Sequence, residues 1–490
     1  AATRVDENGL VNYAEVLGGE EVTNGAFATD LSGWSVTNPT GVTVEWTSNG
    51  MRILTDGTGG GASQSILEIG KTYLIEFDYT AVSGSLKLDA IINTLDTTKK
   101  YSIVKTATQI PLTFYRKSGS AEGIIDNVSV KEVTRDNVPR IDYTGGGCPH
   151  ILAEPQRTNE VTYSEAFDNA YWTKSGATVE SGFTSPDGNT NAYKLVEDLS
   201  TSAHSLYRSN FSINTVRTFS VFAKKSEKER ISIYDANKFG RFIGVIFNLT
   251  SGIVESNQDD SFYLNPKIEL ISNGWYKCSV TWQNSALQVP AFASAILSTN
   301  VYEGDGVSGI YVYGAQLEVG SYPTSYIPTS GSTVTRNQDI FTRDGIGSLI
   351  NSTEGVLFVD IAALSDDLTY REISLSDGTT SNRVEIRYSP TSNRIQGIVR
   401  VGGSVIASLS FIVSDITDFS KVAVKWKLND FSLWVDGFER DTLGSGIVPT
   451  GMNRLGLDRG DGTDEFFGKV KQLQVYTTAL TDTQLTSLTT

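Results

Sequence analysis

Apolar residues at every second position constrain this chain more than any other feature. In Thr72-Tyr73-Leu74-Ile75-Glu76-Phe77-Asp78-Tyr79, the side chains of Tyr73, Ile75, Phe77 and Tyr79 share one face, while Glu76 and Asp78 take the other. A period of two with a mixed outer face is the pattern of a half-buried β-strand. Val42, Val44 and Trp46 repeat it, as do Phe219, Val221 and Ala223, and the run Trp275 to Trp282 repeats it after an Asn273-Gly274 turn. Strand-formers and turn-formers dominate, with 46 Gly, 21 Tyr and 21 Phe against two Met. That balance favours short strands and tight turns over helices. A chain of 490 residues exceeds one ordinary core and points to about three domains. The reading is an all-β protein of tandem β-sandwich (jelly-roll) modules joined by an extended connector.

Punctuation along the chain divides it. Residues 20–133 read as one sandwich, residues 161–328 as a second, and residues 329–490 as a third, with its strands from 336 onward. The first two open alike, Asn24-Gly25-Ala26-Phe27 leading to Trp34 and Ser164-Glu165-Ala166-Phe167 leading to Trp172, which suggests two copies of one sandwich type. In the third, Lys421 to Lys427 and Phe431 to Gly437 flank a turn at Leu428-Asn429-Asp430 and predict a hairpin. Thr481 can cap a short C-terminal helix whose Leu485 and Leu488 face back to the sandwich. Residues 1–19 and 134–160 look like two halves of one connector, with the first sandwich inserted between them. Pro139 and Pro155 deny backbone donors, so the connector should run extended, with a neighbouring chain as one surface to pack on.

The charge excludes some partners. A formal net charge of -16 repels phosphate, so neither nucleic acid nor an anionic membrane is expected to bind. No apolar run is long enough to span a bilayer. Cys278 reads as a buried thiol and Cys148 sits in a Gly-Gly-Gly-Cys-Pro turn; a disulfide between them is the less favoured reading. Neither forms a zinc motif. His150 and His204 are the chain's two imidazoles, and neither adjoins a nucleophile elbow. A glycosidase needs two carboxylates at a fixed separation. The nearest candidate, Glu385-Ile386-Arg387-Tyr388, lacks that arrangement, and the other acids are scattered. The chain is therefore read as non-enzymatic.

The connector carries a resemblance. Ala2-Thr3-Arg4-Val5-Asp6-Glu7-Asn8-Gly9-Leu10, Val138-Pro139-Arg140-Ile141-Asp142-Tyr143 and Leu152-Ala153-Glu154-Pro155-Gln156-Arg157-Thr158-Asn159 together resemble a segment of bacteriophage tail-fibre and virion-surface proteins. Residues 20–133 look like galactose-binding-type carbohydrate-binding modules, through Asn24 to Phe27, Gly33-Trp34 and Ile125-Asp126-Asn127-Val128. Residues 161–328 are similar, ending in Gly314-Ala315-Gln316-Leu317-Glu318. The third sandwich resembles laminin-G and concanavalin-like lectin domains, through Leu433-Trp434-Val435-Asp436-Gly437 and Phe467 to Tyr476. The resemblance implies a virion-surface, extracellular protein, a tail fibre, spike or head fibre. Its expected partners are a host cell-surface polysaccharide and other virion proteins, and its expected state is a homo-oligomer, a trimer above all. A purely structural capsid or tail decoration, or a polysaccharide depolymerase, are the alternatives.

Sugar binding asks for an exposed aromatic ring beside planar polar groups. By strand parity Leu433 and Val435 point to the core, so Trp434 and Asp436 stand on the outer face. Tyr115, beside Arg116 and Lys117, is a second candidate. Trp34, Trp46, Trp172 and Trp282 keep apolar company and are read as core. The resemblance also implies a structural calcium in the first sandwich, with Asp126 as its oxygen ligand. The Asp458-Arg459-Gly460-Asp461-Gly462-Thr463-Asp464 loop looks like a calcium loop, but lacks EF-hand spacing and is read as a cluster of turns.

Overall fold

The computed structural model describes residues 2–490 except 137, 210, 212–214, 237–243, 283–289 and 296–298. The chain divides into two compact units, Ala14–Val138 and the remainder, Ala1–Tyr13 with Pro139–Thr490. The smaller unit is closed at its ends: Val16 pairs with Thr134 across antiparallel strands and Glu15 meets Arg135 at 2.9 Å. In the larger unit, Thr3 pairs with Tyr13 and the Arg140 side chain donates to Thr3 O. Both ends of the smaller unit, and both flanks in the larger, are thus brought together.

In the smaller unit two long strands, Thr72–Leu88 and Pro111–Thr134, do most of the layering. Each turns a corner through a left-handed glycine, Gly84 at φ 59° and Gly119 at φ 62°. The alternating run keeps its predicted parity, with Tyr73, Ile75, Phe77 and Tyr79 all buried. Phe27 packs on Trp34 with ring centroids 5.5 Å apart, and the second sandwich repeats the contact between Phe167 and Trp172 at 5.4 Å. The two openings fold alike.

The larger unit holds two sandwiches of antiparallel sheets. The second sandwich packs a six-stranded sheet centred on Gly309–Val319 and Arg217–Lys225 against another containing Arg230–Asp235 and Pro290–Ser294. Phe219, Val221, Cys278, Val280, Trp282 and Phe292 fill the space between. Asn273 and Gly274, at φ 51° and 77°, close the Tyr263–Ser272/Trp275–Trp282 hairpin as a type I′ turn. Cys148 and Cys278 are free thiols, the first exposed and the second buried. In the third sandwich, Glu354–Ala363, Ser420–Lys427 and Asp430–Val435 pack over Arg371–Ser376, Arg383–Tyr388 and Arg394–Val401.

The connector departs from expectation. It is extended, but it packs on this chain itself. His150–Ala153 pairs with Gly468–Val470 and so joins the third sandwich's sheet, while Ile141–Asp142 pairs with His150 and Ile151. Val5 and Val11 pack on Phe222, Trp275 and Tyr326 of the second sandwich. Three buried charges, Arg140, Glu154 and Arg336, and the half-buried Asp339 lock the junction. Arg140 donates to Glu154 at 2.5 Å, to Ser325 Oγ at 2.7 Å and to Asp339. Arg336 donates to the same Glu154 carboxylate, and to Pro155 O at 2.6 Å. Burial alone would raise the Glu154 carboxyl, but Arg336 and Arg140 outweigh it and hold it well below the usual range. Neutralising that carboxylate would leave two buried guanidiniums with only Asp339. Glu154→Gln should therefore destabilise the larger unit by about 3–5 kcal/mol; chemical unfolding followed by tryptophan fluorescence measures this, and an unchanged midpoint would contradict it.

Candidate functional site

A cavity of about 780 Å³ opens where the connector and the two sandwiches of the larger unit meet. That volume lies within the roughly 300–1,000 Å³ typical of small-molecule sites. The connector contributes Thr3, Arg4, Asp142 and Thr144. The second sandwich contributes Asn265, Lys267, Glu269, Lys277, Thr324 and Ser325, and the third contributes Ser365, Asp366, Asn393, Asp415, Thr417 and Lys469. Phe222, Tyr322 and Tyr326, all buried, supply apolar lining. The site is therefore rich in hydroxyls, amides and carboxylates over an aromatic base.

Local hydrogen bonds shape its loops. Asp366 Oδ2 accepts from Ser392 Oγ at 2.5 Å and Asn393 N at 3.1 Å, while its Oδ1 is buried without a partner. Asn393, in the left-handed region at φ 56°, accepts at Oδ1 from Ile416 N at 3.1 Å. Asp415 Oδ1 accepts from both N and Oγ1 of Thr417 at 2.8 Å. These bonds tie three loops of the third sandwich into one polar rim. Asp142 at the connector accepts from Val5 N at 3.0 Å and Thr144 N at 2.8 Å. His150, buried beside it against Phe419, has its pKa pushed down to about 4, chiefly by burial. His204 is buried elsewhere, its ring nitrogens facing the carbonyl oxygens of Gly176 and Tyr302.

The candidates from sequence do not gather here. Trp434 does stand on the outer face of its sheet, as parity requires, but it is only 5% exposed. The C-terminal helix α1, Asp482–Thr489, covers it, packing Leu485 onto Trp434, Val356 and Phe358. Thr481 and Gln484 form the capping box that starts this helix. Trp434 is thus a second, small core and no sugar platform. Asp436 is exposed, but at φ 48° it sits in a tight turn with Gly437, its Oδ1 accepting from Lys421 N at 2.9 Å. Tyr115 is half-buried, with the Lys87 ammonium 5.8 Å from its ring centroid. Asp126 faces Asp78 across paired strands, and the Asn127 amide donates to Asp78 at 2.8 Å. Asp78 and Asp126 bring two carboxylates, hard oxygen ligands of the kind calcium takes, to one place. No group of three or more His, Cys, Asp or Glu able to hold a metal exists among the described residues. The Asp458–Asp464 loop is an ion-paired turn, Arg459 meeting Asp461 at 3.1 Å and Asp464 at 2.9 Å.

One assignment is reversed in the opposite sense. Trp46, read as core, is 41% exposed and is the exposed one of the seven tryptophans, all of them described. It is the penultimate residue of the edge strand Val42–Thr47, and its Nε1 donates to Phe27 O at 2.6 Å. Its place beside the Ser48-Asn49-Gly50 turn was the signal available in sequence.

Sequence also missed a paired carboxylate. Glu372 lies across from Arg387, whose guanidinium is 3.1 Å from Glu372 and 3.2 Å from Glu385. Both acids are buried, at 1% and 0% exposure. Burial first, and then the charge of Glu385, push Glu372 up to about 7. The folded protein therefore keeps a proton that the unfolded chain releases between 4.5 and about 7, and stability falls as pH rises through that window. Glu372→Gln is neutral throughout and should flatten the fall in melting temperature across the window; equal slopes for both proteins would refute this. Trp434→Ala should cost about 3–5 kcal/mol through the cavity it leaves without changing ligand binding, as paired melting and titration experiments would register.

No family model and no curated protein matches this chain. Solved structures do. CBM40 of the Ruminococcus gnavus IT-sialidase, bound to α2,3-sialyllactose, is 16% identical, covers 31% of this chain and 98% of its own, and has a TM-score of 0.27. The CBM22-1–CBM22-2 tandem of Paenibacillus barcinonensis Xyn10C is 14% identical over 64% of this chain and 100% of its own, at a TM-score of 0.22. Domains LG4–5 of the mouse laminin α1 chain are 10% identical over 56% of this chain and 86% of their own, also at 0.22. At these scores the likenesses carry no argument about the site.

Proposed function

We propose that this chain is a non-enzymatic virion-surface protein that attaches to host glycans through its sandwich modules. The observation that carries the reading is the junction cavity, whose hydroxyl, amide and carboxylate lining over Tyr322, Tyr326 and Phe222 suits a polyhydroxylated ligand. The connector, with its resemblance to phage virion segments, makes up part of that lining. Exposed Trp46 offers a further stacking surface on the smaller unit. Weak single sites of this kind gain avidity from repetition, and a trimer is the assembly that the phage resemblance implies. Glu372 and Glu385 are buried and committed to Arg387, so that pair is not open to a polysaccharide.

The test is a glycan array probed with the full chain, alongside sizing of each bound polysaccharide after incubation. Binding without shortening is expected, and Ser365→Trp, which places a large ring in the cavity, should abolish it. Shortened polysaccharide would establish the enzyme instead. A protein that binds nothing on the array yet co-purifies with particles would be a structural decoration.

A further inference from the structure

We propose that Glu165, Tyr313 and Asp187 form a proton-held latch for residues 2–13: this amino-terminal hairpin stays docked on the second sandwich while Glu165 is protonated and lets go when it ionises. The latch stands independently of what the junction cavity binds. It begins with a shortage of protons. The Tyr313 hydroxyl lies 2.9 Å from Glu165 Oε1 and 3.0 Å from Asp187 Oδ2. A phenol has one proton to donate, and an ionised carboxylate only accepts. Tyr313 can therefore satisfy one of the two acids, and the other contact becomes a hydrogen bond when that acid brings a proton of its own. The remaining partners decide which acid it is. Asp187 already accepts from Ser185 Oγ, from Asn189 N at 2.9 Å and from Asn191 Nδ2 at 3.2 Å, all of which favour its ionised form. Burial works to raise Asp187, but those bonds, led by Ser185, hold it below its ordinary value. Glu165 meets hydroxyls instead, Tyr313 and also Tyr326 at 3.1 Å, and the Tyr326 hydroxyl lies closer to Ser164 Oγ, at 2.7 Å. Burial, aided by the Asp187 charge, raises Glu165 above its ordinary 4.5 against the opposing bonds from Tyr313 and Tyr326.

The hairpin rests on this set. Val5 and Val11 pack in one cluster with Tyr313 and Tyr326, and Thr3 Oγ1 donates to Tyr326 O. Val11 N donates to Pro186 O at 3.0 Å, one residue before Asp187. One residue after it, Leu10 lies against Gly188, where an added Cβ would come within 3.3 Å of the leucine. The hairpin thus grips the chain on both sides of Asp187. Around the set stand Tyr13, beside Tyr326, and Asp168, which accepts from Tyr193 at 2.8 Å. On the hairpin, Asp6 is closed on Asn8 N, Leu10 N and Asn12 in its own turn, and Arg4 donates to Ile141 O. Once Glu165 ionises, two half-buried carboxylates face one phenol proton. Their repulsion is relieved by moving Asp187, and with it Pro186 and Gly188, off the hairpin. A carboxyl raised by docking contributes stability that is fully present below 4.5 and lost as pH climbs through its docked value. Acid therefore holds the hairpin and alkali frees it. Thr3, Arg4, Val5 and Val11 line the junction cavity, so release also opens one wall of it.

Hydrogen–deuterium exchange of the full chain from about pH 4 to about pH 8, corrected for intrinsic rates, tests the latch. Protection of residues 2–13, the Val11 amide above all, should fall about tenfold more across that range than protection of the strand Gly309–Val319. The strand serves as the internal reference, because it registers any loss of the whole unit that arises from Glu372. Glu165→Gln, whose amide donates to Tyr313 at every pH, should keep the hairpin level with the strand. Asp187→Asn removes the second charge and should shrink the fall as well; it serves where the glutamine variant misfolds. A hairpin that merely follows the strand in the unaltered chain would overturn the latch. So would an undiminished fall in Glu165→Gln, or in Asp187→Asn where that variant stands in.

Discussion

Two guanidiniums on one buried carboxylate decide how the larger unit is put together. Arg140 and Glu154 belong to the connector, Arg336 to the segment leading into the third sandwich, and Ser325, which bonds all three, to the end of the second. A buried charge set of this kind adds little stability over apolar packing, yet breaking it is costly, so it acts as a geometric specification. It fixes where the chain leaves one sandwich and enters the next.

The same constraint explains why the connector is charged and rich in proline. Extended backbone held by pairing with Gly468–Val470 needs few side chains for its own core. Its side chains are left free to make ion pairs in two directions. The cavity lies where the two sandwiches and the connector meet, and its lining comes from all three. Loops supply turn-forming Asp, Asn, Ser and Thr, and these groups also bind hydroxyls.

Alternation made the cores legible, because a period of two leaves no choice of face once one face is buried. Tyr73 through Tyr79 and Leu433 with Val435 fell on the side their parity required. The C-terminal helix was equally readable from Thr481, Leu485 and Leu488. Parity failed only where it was asked for exposure. Trp434 was placed on the outer face and α1 on the same sandwich, and both placements hold; their coincidence buries the ring. Trp46 has core parity but no neighbour beyond its edge strand, so it meets solvent.

By itself, then, the sequence determined which faces of which strands are apolar and where turns fall. Those properties depend on residues within a few positions of one another, or on composition. Which outer faces are covered, that Glu372 and Glu385 share Arg387, and that Lys277 and Lys469, 192 positions apart in number, line one cavity were settled only by tertiary structure. Contacts between distant segments depend on strand order and loop docking, and no local period records either.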